Sequence, residues 1–288
     1  MKFYKKYLAI FAAFFLIISS FVGCSSSKTI DSSKDANNQH VMKVNYIDVG
    51  QGDSILVQVN GKNLLIDAGP NSSTDKLISY LNKQNIKKLD FVVATHPHED
   101  HIGAMDTIIN KYNIGEFYAP KKTTTTKTFE SMVNALKSKN IKINAATAGV
   151  SLDLGKNVKC EMIAPNAPNY EDLNNYSAVI KITYGNSKFL FMGDAESLSE
   201  KEILNKNHDI SSDVLKLGHH GSSSSSSKAF LDKVSPKIAI ISCGKNNDYG
   251  HPHKETSTEM KKRNIQVYRT DIDGSIVLIS DGKKISKE

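Results

Sequence analysis

Four side chains able to bind a cation or carry a proton, His96, His98, Asp100 and His101, fall within six positions of the run Thr95-His96-Pro97-His98-Glu99-Asp100-His101. The run follows an apolar stretch at 91–94 and precedes helical spacing at 102–112. A loop leaving a strand can aim alternate side chains at one point, while Pro97 stiffens the turn and Gly103 frees the helix start. Imidazole nitrogens beside a carboxylate suit zinc or manganese, and this spacing can serve two ions a few ångströms apart. A chance surface cluster is the competing explanation, and the remaining candidate ligands argue against it.

Those candidates also stand at the ends of apolar runs. Phe189-Leu190-Phe191-Met192 leads into Gly193-Asp194, and Val214-Leu215-Lys216-Leu217 leads into Gly218-His219-His220-Gly221-Ser222. Leu64-Leu65-Ile66 leads into Asp67-Ala68-Gly69, where Asp67 would otherwise be read as a turn-capping carboxylate. Two further glycine-bearing segments stand apart, Asp48-Val49-Gly50-Gln51-Gly52-Asp53-Ser54 and Gly250-His251-Pro252-His253. The first reads as a tight turn or plain hairpin, the second as a loop in which His251 is the stronger candidate and His253 the weaker.

His96-x-His98-x-Asp100-His101 resembles the signature of the metallo-β-lactamase superfamily. That resemblance implies that His96 and His98 bind one metal and the Asp100-His101 pair the other, with Asp67 orienting the loop by hydrogen bonding. It implies further that Asp194 bridges both metals and that one histidine of the His219-His220 pair ligates the second. The His-Gly ending favours His220 as that ligand, leaving His219 to meet substrate phosphate or the leaving group. Between 164 and 180, where the superfamily contributes another histidine to the first metal, this chain has none and carries Asn174-Asn175-Tyr176-Ser177 instead. That metal is then held by fewer protein ligands, completed by an asparagine or by water, or exchangeable.

A finer likeness is to the extracytoplasmic hydrolase domain of ComEC-type DNA-uptake proteins. It is carried by Asp48 to Ser54, the Asn-Asn-x-Ser segment, His-His-Gly-Ser, Gly250-His251-Pro252-His253 and Thr270-Asp271-x-Asp273-Gly274. It implies a phosphodiesterase or nuclease acting on DNA through two divalent ions, zinc or manganese. In that reading Asp100 orients the nucleophile, and His219 and His251 stabilise charge or protonate the leaving oxygen. The membrane channel of those proteins has no counterpart in the 288 residues, so translocation of DNA by this chain alone is not expected. Two other readings stay open: an envelope phosphoesterase such as a phosphorylcholine esterase (less readily a β-lactamase), and a non-catalytic nucleic-acid-binding lipoprotein.

The elements that must position these residues are short. Strands are expected at 44–49, 55–59, 64–66, 91–94, 159–163, 178–183, 188–192, 214–217, 238–242 and 275–279, and helices at 74–82, 102–112, 129–138, 199–205, 228–233 and 255–263. Without regular βαβα alternation this favours an α/β (α+β) fold of four αββα layers, one hydrolase domain over 40–288. The serine tract at 222–227 is placed in a loop entering a helix.

Ahead of that domain, Lys2, Lys5 and Lys6 precede an apolar stretch at 7–18, too short for a spanning helix, which needs roughly 20 residues. Residues 1–23 read as an export signal, and Phe21-Val22-Gly23-Cys24 resembles a bacterial lipobox, with phenylalanine where leucine is usual. It implies lipidation of Cys24, an anchor on the extracytoplasmic face of the membrane and a polar tether over 24–39; ordinary signal cleavage is the alternative. Removing 1–23 lowers the formal charge from +7 to +4, a mild excess compatible with an anionic substrate or envelope. Cys160 and Cys243 lack Cys-x-x-Cys spacing and read as buried thiols or a single disulfide. The oligomeric state has no signal in the sequence.

Overall fold

The computed structural model describes residues 41–288. The expected export signal, Cys24 and the expected tether therefore lie outside the described residues. The first half runs β1 (Met42–Tyr46), β2 (Ile55–Val59), β3 (Lys62–Ile66), α1 (Thr74–Lys83), β4 (Lys88–Val93), α2 (Glu99–Ile102), α3 (Met105–Lys111), β5 (Asn113–Ala119), α4 (Lys127–Ser138) and β6 (Ile143–Ala145). The second runs β7 (Ser151–Leu152), β8 (Val158–Ala164), β9 (Val179–Tyr184), β10 (Ser187–Phe191), α5 (Ser197–Asn205), β11 (Val214–Lys216), α6 (Lys228–Val234), β12 (Ile238–Ile241), α7 (Lys254–Lys262), β13 (Gln266–Arg269) and α8 (Thr270–Asp273). Two last strands, β14 (Ile276–Ser280) and β15 (Ile285–Lys287), return to the first sheet.

The strands form an eight-stranded sheet, β15-β14-β1-β2-β3-β4-β5-β6, and a seven-stranded sheet, β13-β12-β11-β10-β9-β8-β7. Side chains alternate across each strand and sort into separate cores. Val44 and Tyr46 of β1, Ile55 and Val57 of β2, and Phe91 and Val93 of β4 meet Phe189 and Phe191 of β10 between the sheets. The alternate residues Leu56, Leu65 and Val92 pack with Leu77 and Leu81 of α1 and with Met105 and Ile108 of α3 on one outer face. Leu190, Leu215 and Ile241 pack with Ile203, Phe230 and Met260 of α5, α6 and α7 on the other. These are the four αββα layers of a metallo-β-lactamase fold. Among the described residues no helix is long and apolar enough to cross a membrane.

Strands β3, β4 and β5 run parallel, as do β10, β11, β12 and β13. Asp67, the 95–101 run, Asp194 and His219-His220 each follow the carboxyl end of one of these strands. Sheet packing thereby brings segments distant in sequence to a common edge.

The single helix expected over 102–112 is instead α2 and α3, separated at Gly103-Ala104. The backbone there is paired with a neighbouring loop: Ala68 N–H donates to the His101 carbonyl (2.8 Å) and Ala104 N–H to the Gly69 carbonyl (3.2 Å). A Cβ at Gly103 would overlap the backbone of Pro70 and Asn71. The loop packing thus takes groups that a continuous helix would use. Asp100 and His101 consequently stand inside α2, and not in an open loop. The strand expected over 44–49 likewise ends at Tyr46, where Ile47 N–H turns to Ser54 and Asp48 Oδ1 accepts from Gly50 N–H.

Candidate metal centre

Asp67, in a left-handed conformation (φ 58°) at the end of β3, anchors the histidine run. Its carboxylate accepts from Thr95 N–H (2.7 Å), Thr95 Oγ1 (2.7 Å) and His101 Nδ1 (2.8 Å). Because Asp67 takes Nδ1 of His101, Nε2 is the atom left to face the cavity. It lies 3.2 Å from Asp194 Oδ1 and 3.3 Å from His220 Nε2.

His220 is fixed in the same way. Its Nδ1 donates to the Ser242 carbonyl (2.9 Å), and its Nε2 lies 3.1 Å from Asp100 Oδ2 and 3.4 Å from Asp194 Oδ2. His219 turns the other way, with Nδ1 against Glu196 Oε1 (3.2 Å) and Ser224 Oγ (3.1 Å) and Nε2 3.9 Å from Asp194. Both histidines have positive φ, 48° and 52°, so the turn sends adjacent rings to different walls.

On the other side of Asp194, His96 Nδ1 contacts Thr95 Oγ1 (3.2 Å) and Ser177 Oγ (3.3 Å). The Thr95 proton is already given to Asp67, so its oxygen can accept from His96 Nδ1. His96 Nε2 then faces His98 Nδ1 (3.0 Å) and Asp194 Oδ2 (3.8 Å). Asp194 thus groups with Asp100, His101 and His220, whose ligand atoms lie within 4.8 Å of one another, while His96 approaches it from 3.8 Å with His98 beside His96. Gly52, in the 48–54 turn, lets this backbone approach Asp100, whose carbonyl a Cβ there would overlap and which accepts from Asp53 N–H (3.2 Å).

The donor set fits a cation. Asp194 Oδ1 is buried and accepts no hydrogen bond of good geometry, although His101 Nε2 stands 3.2 Å from it. Burial opposes charge on His101 and His220, yet Asp194 and the neighbouring carboxylates push both rings well above the ordinary histidine range. Burial likewise opposes charge on Asp194, and His101 and His220 outweigh it and hold the carboxyl well below its ordinary range. Protons on two Nε2 atoms 3.3 Å apart thus balance the carboxylates that a metal ion would otherwise neutralise. His96 differs: burial, followed by the charge on His101, holds it well below the ordinary range and leaves it neutral.

The cavity over these residues holds about 320 Å³, and Gln51, Asn174, His219, Tyr249 and His251 line its remaining walls. Burial, followed by His220 and His219, pushes His251 down to about 4. The Gln51 amide donates to its Nδ1 (3.4 Å). Tyr249 stacks on His251 with ring centroids 5.6 Å apart and planes at 15°, and remains two-thirds exposed. His253, two positions on and just ahead of α7, does not line the cavity and accepts at Nδ1 from Ser223 N–H (3.0 Å).

Beneath His220 lies a buried ion pair that the motif reading missed. Lys216 Nζ is 2.9 Å from Asp53 Oδ2, and Asp53 Oδ1 is 3.4 Å from His220 Nδ1. Burial pushes the Asp53 carboxyl up, but Lys216 and then His220 outweigh it and hold the group below its ordinary range. A lysine on an inward position of an otherwise apolar strand was the available signal, because such a charge requires a buried partner. Glu196 was also missed; it has no motif beyond its place beside Asp194. Cys160 and Cys243 are buried and unbridged, and burial pushes the Cys243 thiol up to about 11.

Comparison with known proteins agrees with this geometry. ComE operon protein 3 of Bacillus subtilis is 33% identical over 252 residues, 81% of this chain and 32% of its own length. The chain thus spans about a third of that relative. Exodeoxyribonuclease WalJ of Streptococcus pneumoniae is 38% identical over a shorter stretch of 74 residues, 25% of this chain and 26% of its own. Among solved structures, the metallo hydrolase Igni18 of Ignicoccus hospitalis shares the fold at a TM-score of 0.56 with 19% identity, covering 82% of this chain and 98% of its own. The metallo-beta-lactamase superfamily model matches residues 47–245, and the chain, a metal-dependent hydrolase related to competence proteins, belongs to that superfamily.

Proposed function

We propose that this chain is an exported phosphodiesterase that cleaves DNA, anchored through a lipidated Cys24 on the extracytoplasmic face of the membrane. The observation that supports the catalytic reading is the cluster of Asp100, His101, Asp194 and His220, whose ligand atoms lie within 4.8 Å of one another, with His96 Nε2 3.8 Å from the same buried Asp194. His96, His98 and Asp194 would hold one divalent ion, and Asp100, His101, His220 and Asp194 a second, zinc or manganese in each case. When bound, such ions polarise a phosphoryl oxygen and lower the pKa of water.

The chain's own groups complete the chemistry. Asp100, on the cavity wall, accepts a hydrogen bond from the attacking water and so orients it. His219 has Nδ1 held by Glu196 and Ser224, which aims Nε2 into the cavity to protonate the departing oxygen. His251 meets the phosphodiester as a neutral ring; with Nδ1 accepting from Gln51, its Nε2–H is the donor for a phosphate oxygen. The exposed face of Tyr249 at the cavity mouth suits a nucleobase, since base–aromatic stacking tolerates any sequence. The name of the exodeoxyribonuclease relative supports a nucleic-acid substrate, and the lipobox-like segment supports the anchor.

The test is turnover by the purified protein with manganese or zinc. Labelled single-stranded DNA, bis-p-nitrophenyl phosphate, a phosphorylcholine ester and a β-lactam are compared, with and without chelator. Metal-dependent cleavage of DNA is the expected result. A choline ester or β-lactam turned over far faster than DNA would replace the substrate assignment. No turnover with any metal, beside tight metal-independent DNA binding, would replace the enzyme with a binding protein.

A further inference from the structure

The segment that stands where the superfamily's extra histidine is missing, the short 3-10 turn Leu173–Tyr176 followed by Ser177, has most of its polar atoms engaged. Asn175 Oδ1 accepts from Glu196 N–H and Ser199 N–H (3.3 Å each), and its Nδ2 donates to Glu196 Oε2. Tyr176 Oη accepts from Tyr170 N–H (3.0 Å). Ser177 Oγ accepts from Asp194 N–H (3.0 Å) and touches His96 Nδ1. These three residues fasten the turn to α5, to the 165–170 loop and to the centre itself.

Asn174 is different. Its side chain is 6% exposed and lines the same cavity as His98, Asp194 and His219, and its Oδ1 is buried with no hydrogen-bond partner. Its backbone N–H is satisfied by Asp172 Oδ1 (2.9 Å), so the turn itself makes no demand on the amide. A buried acceptor without a partner is rare in folded proteins and calls for an occupant. It lines that cavity together with His98 and Asp194, two members of the site that holds only two histidines.

We propose that Asn174 Oδ1 is the fourth protein donor of the His96, His98 and Asp194 site, in the position of the absent histidine. This rests on the metal-centre reading given above. The consequence is a change of ligand class. A nitrogen donor would make that site histidine-rich, whereas an amide oxygen beside a carboxylate makes it half oxygen, which moves its preference from zinc towards manganese.

The experiment is manganese titration of the metal-free protein, with the free ion counted by its electron paramagnetic resonance signal, followed by competition with zinc. Parent, Asn174→Ala and Asn174→His are compared, and thermal unfolding of each metal-free protein is recorded alongside. Asn174→Ala is expected to weaken one class of manganese site by about tenfold or more, on the scale of loss seen when a supporting group of a metal site is removed. Metal-free Asn174→Ala is expected to unfold at the parent temperature, because Oδ1 has no protein partner to lose. Asn174→His is expected to bind zinc more tightly relative to manganese than the parent does. Asn174→Ala with parental manganese affinity and stoichiometry would overturn the proposal while leaving the metal centre intact, as would a metal-free Asn174→Ala that unfolds well below the parent, which makes the side chain structural. A parent that binds neither ion would overturn the metal-centre reading and this proposal together.

Discussion

The buried pair Lys216–Asp53 offers the sharpest energetic test of how the centre is held. Both side chains are almost fully excluded from water, 0% and 1% exposed, with Nζ and Oδ2 2.9 Å apart. At an effective dielectric constant of ~20, unit charges at that spacing attract by about 6 kcal/mol, and removing both from water offsets several kcal/mol of it. The net value of the pair is therefore small, but the value of either member given the other is large. Lys216→Met leaves Asp53 buried and unpaired and is expected to cost about 3 to 5 kcal/mol. For a domain of this size that lowers the midpoint of thermal unfolding by roughly 10 °C. Asp53→Asn in the same background removes the orphaned charge and is expected to recover at least about 2 kcal/mol, the coupling that a double-mutant cycle isolates. The assay is urea and thermal unfolding of the four metal-free proteins. Metal affinity supplies a second reading: with Lys216 gone, Asp53 competes with the Ser242 carbonyl for the His220 Nδ1 proton, and affinity is expected to fall about tenfold. A Lys216→Met protein within about 1 kcal/mol of the parent, or a double variant no more stable than the single one, would show that the pair is not the support for His220 inferred here.

Because Asp194 and its neighbours hold the protons of His101 and His220 well above the ordinary range, metal binding near neutral pH is expected to release protons, measurable by calorimetry in buffers of different ionisation enthalpy; unchanged heats across buffers would contradict it. The same raised groups stabilise the metal-free protein fully below the unfolded histidine value near ~6.5, and that contribution is lost as pH rises through their folded values, so apo stability is expected to fall above pH ~6.5, with a flatter profile for His220→Gln. Asp194→Ala is expected to abolish turnover and lower metal content, and His219→Ala to spare metal while reducing rate; metal analysis showing loss in His219→Ala and retention in His220→Ala would reverse the roles of that pair. Cys24→Ser is expected to block processing or release the protein from membranes, and fractionation showing both unchanged would remove the lipid anchor.

What could be read in advance followed from where the chemistry is written in the chain. The 95–101 run, Asp194 and the His219-His220 pair each sit at the end of a short apolar run, so both residue type and approximate position were visible locally. Lys216 was not, because its role depends on strand register: only the alternation of β11 turns it inward, and only packing of the two sheets brings Asp53 to it. Strand β5 escaped notice for a similar reason. Its Gly115 and Glu116 break the apolar alternation, while Gly115 is required where a Cβ would overlap the Asp90 carbonyl of β4. The break between α2 and α3 is a matter of which carbonyl the loop at 68–69 captures. No periodicity in 102–112 reports that competition.

The distribution of donors over the fold has a thermodynamic consequence. Asp67, His96, His98, Asp100 and His101 arise from the first sheet, whereas Asp194 and His220 arise from the second, and Asp53 reaches from the first to Lys216 of the second. Neither sheet alone assembles the cluster, so its mutual attractions add to the apolar core only when the two sheets are packed in register. A cation held there would bind the packed state and not the separated sheets, and at a hundredfold excess over its dissociation constant would stabilise that state by about 2.7 kcal/mol. In the metal-free protein the proton on His101 supplies part of the same attraction between Asp194 and the first sheet, and the proton on His220 attracts Asp100 of the first sheet. The centre is thus a cross-link of adjustable strength between the layers. Its protonation and its occupancy bear on the same inter-sheet contact that Tyr46 and Phe191, with ring centroids 6.0 Å apart, make by apolar packing.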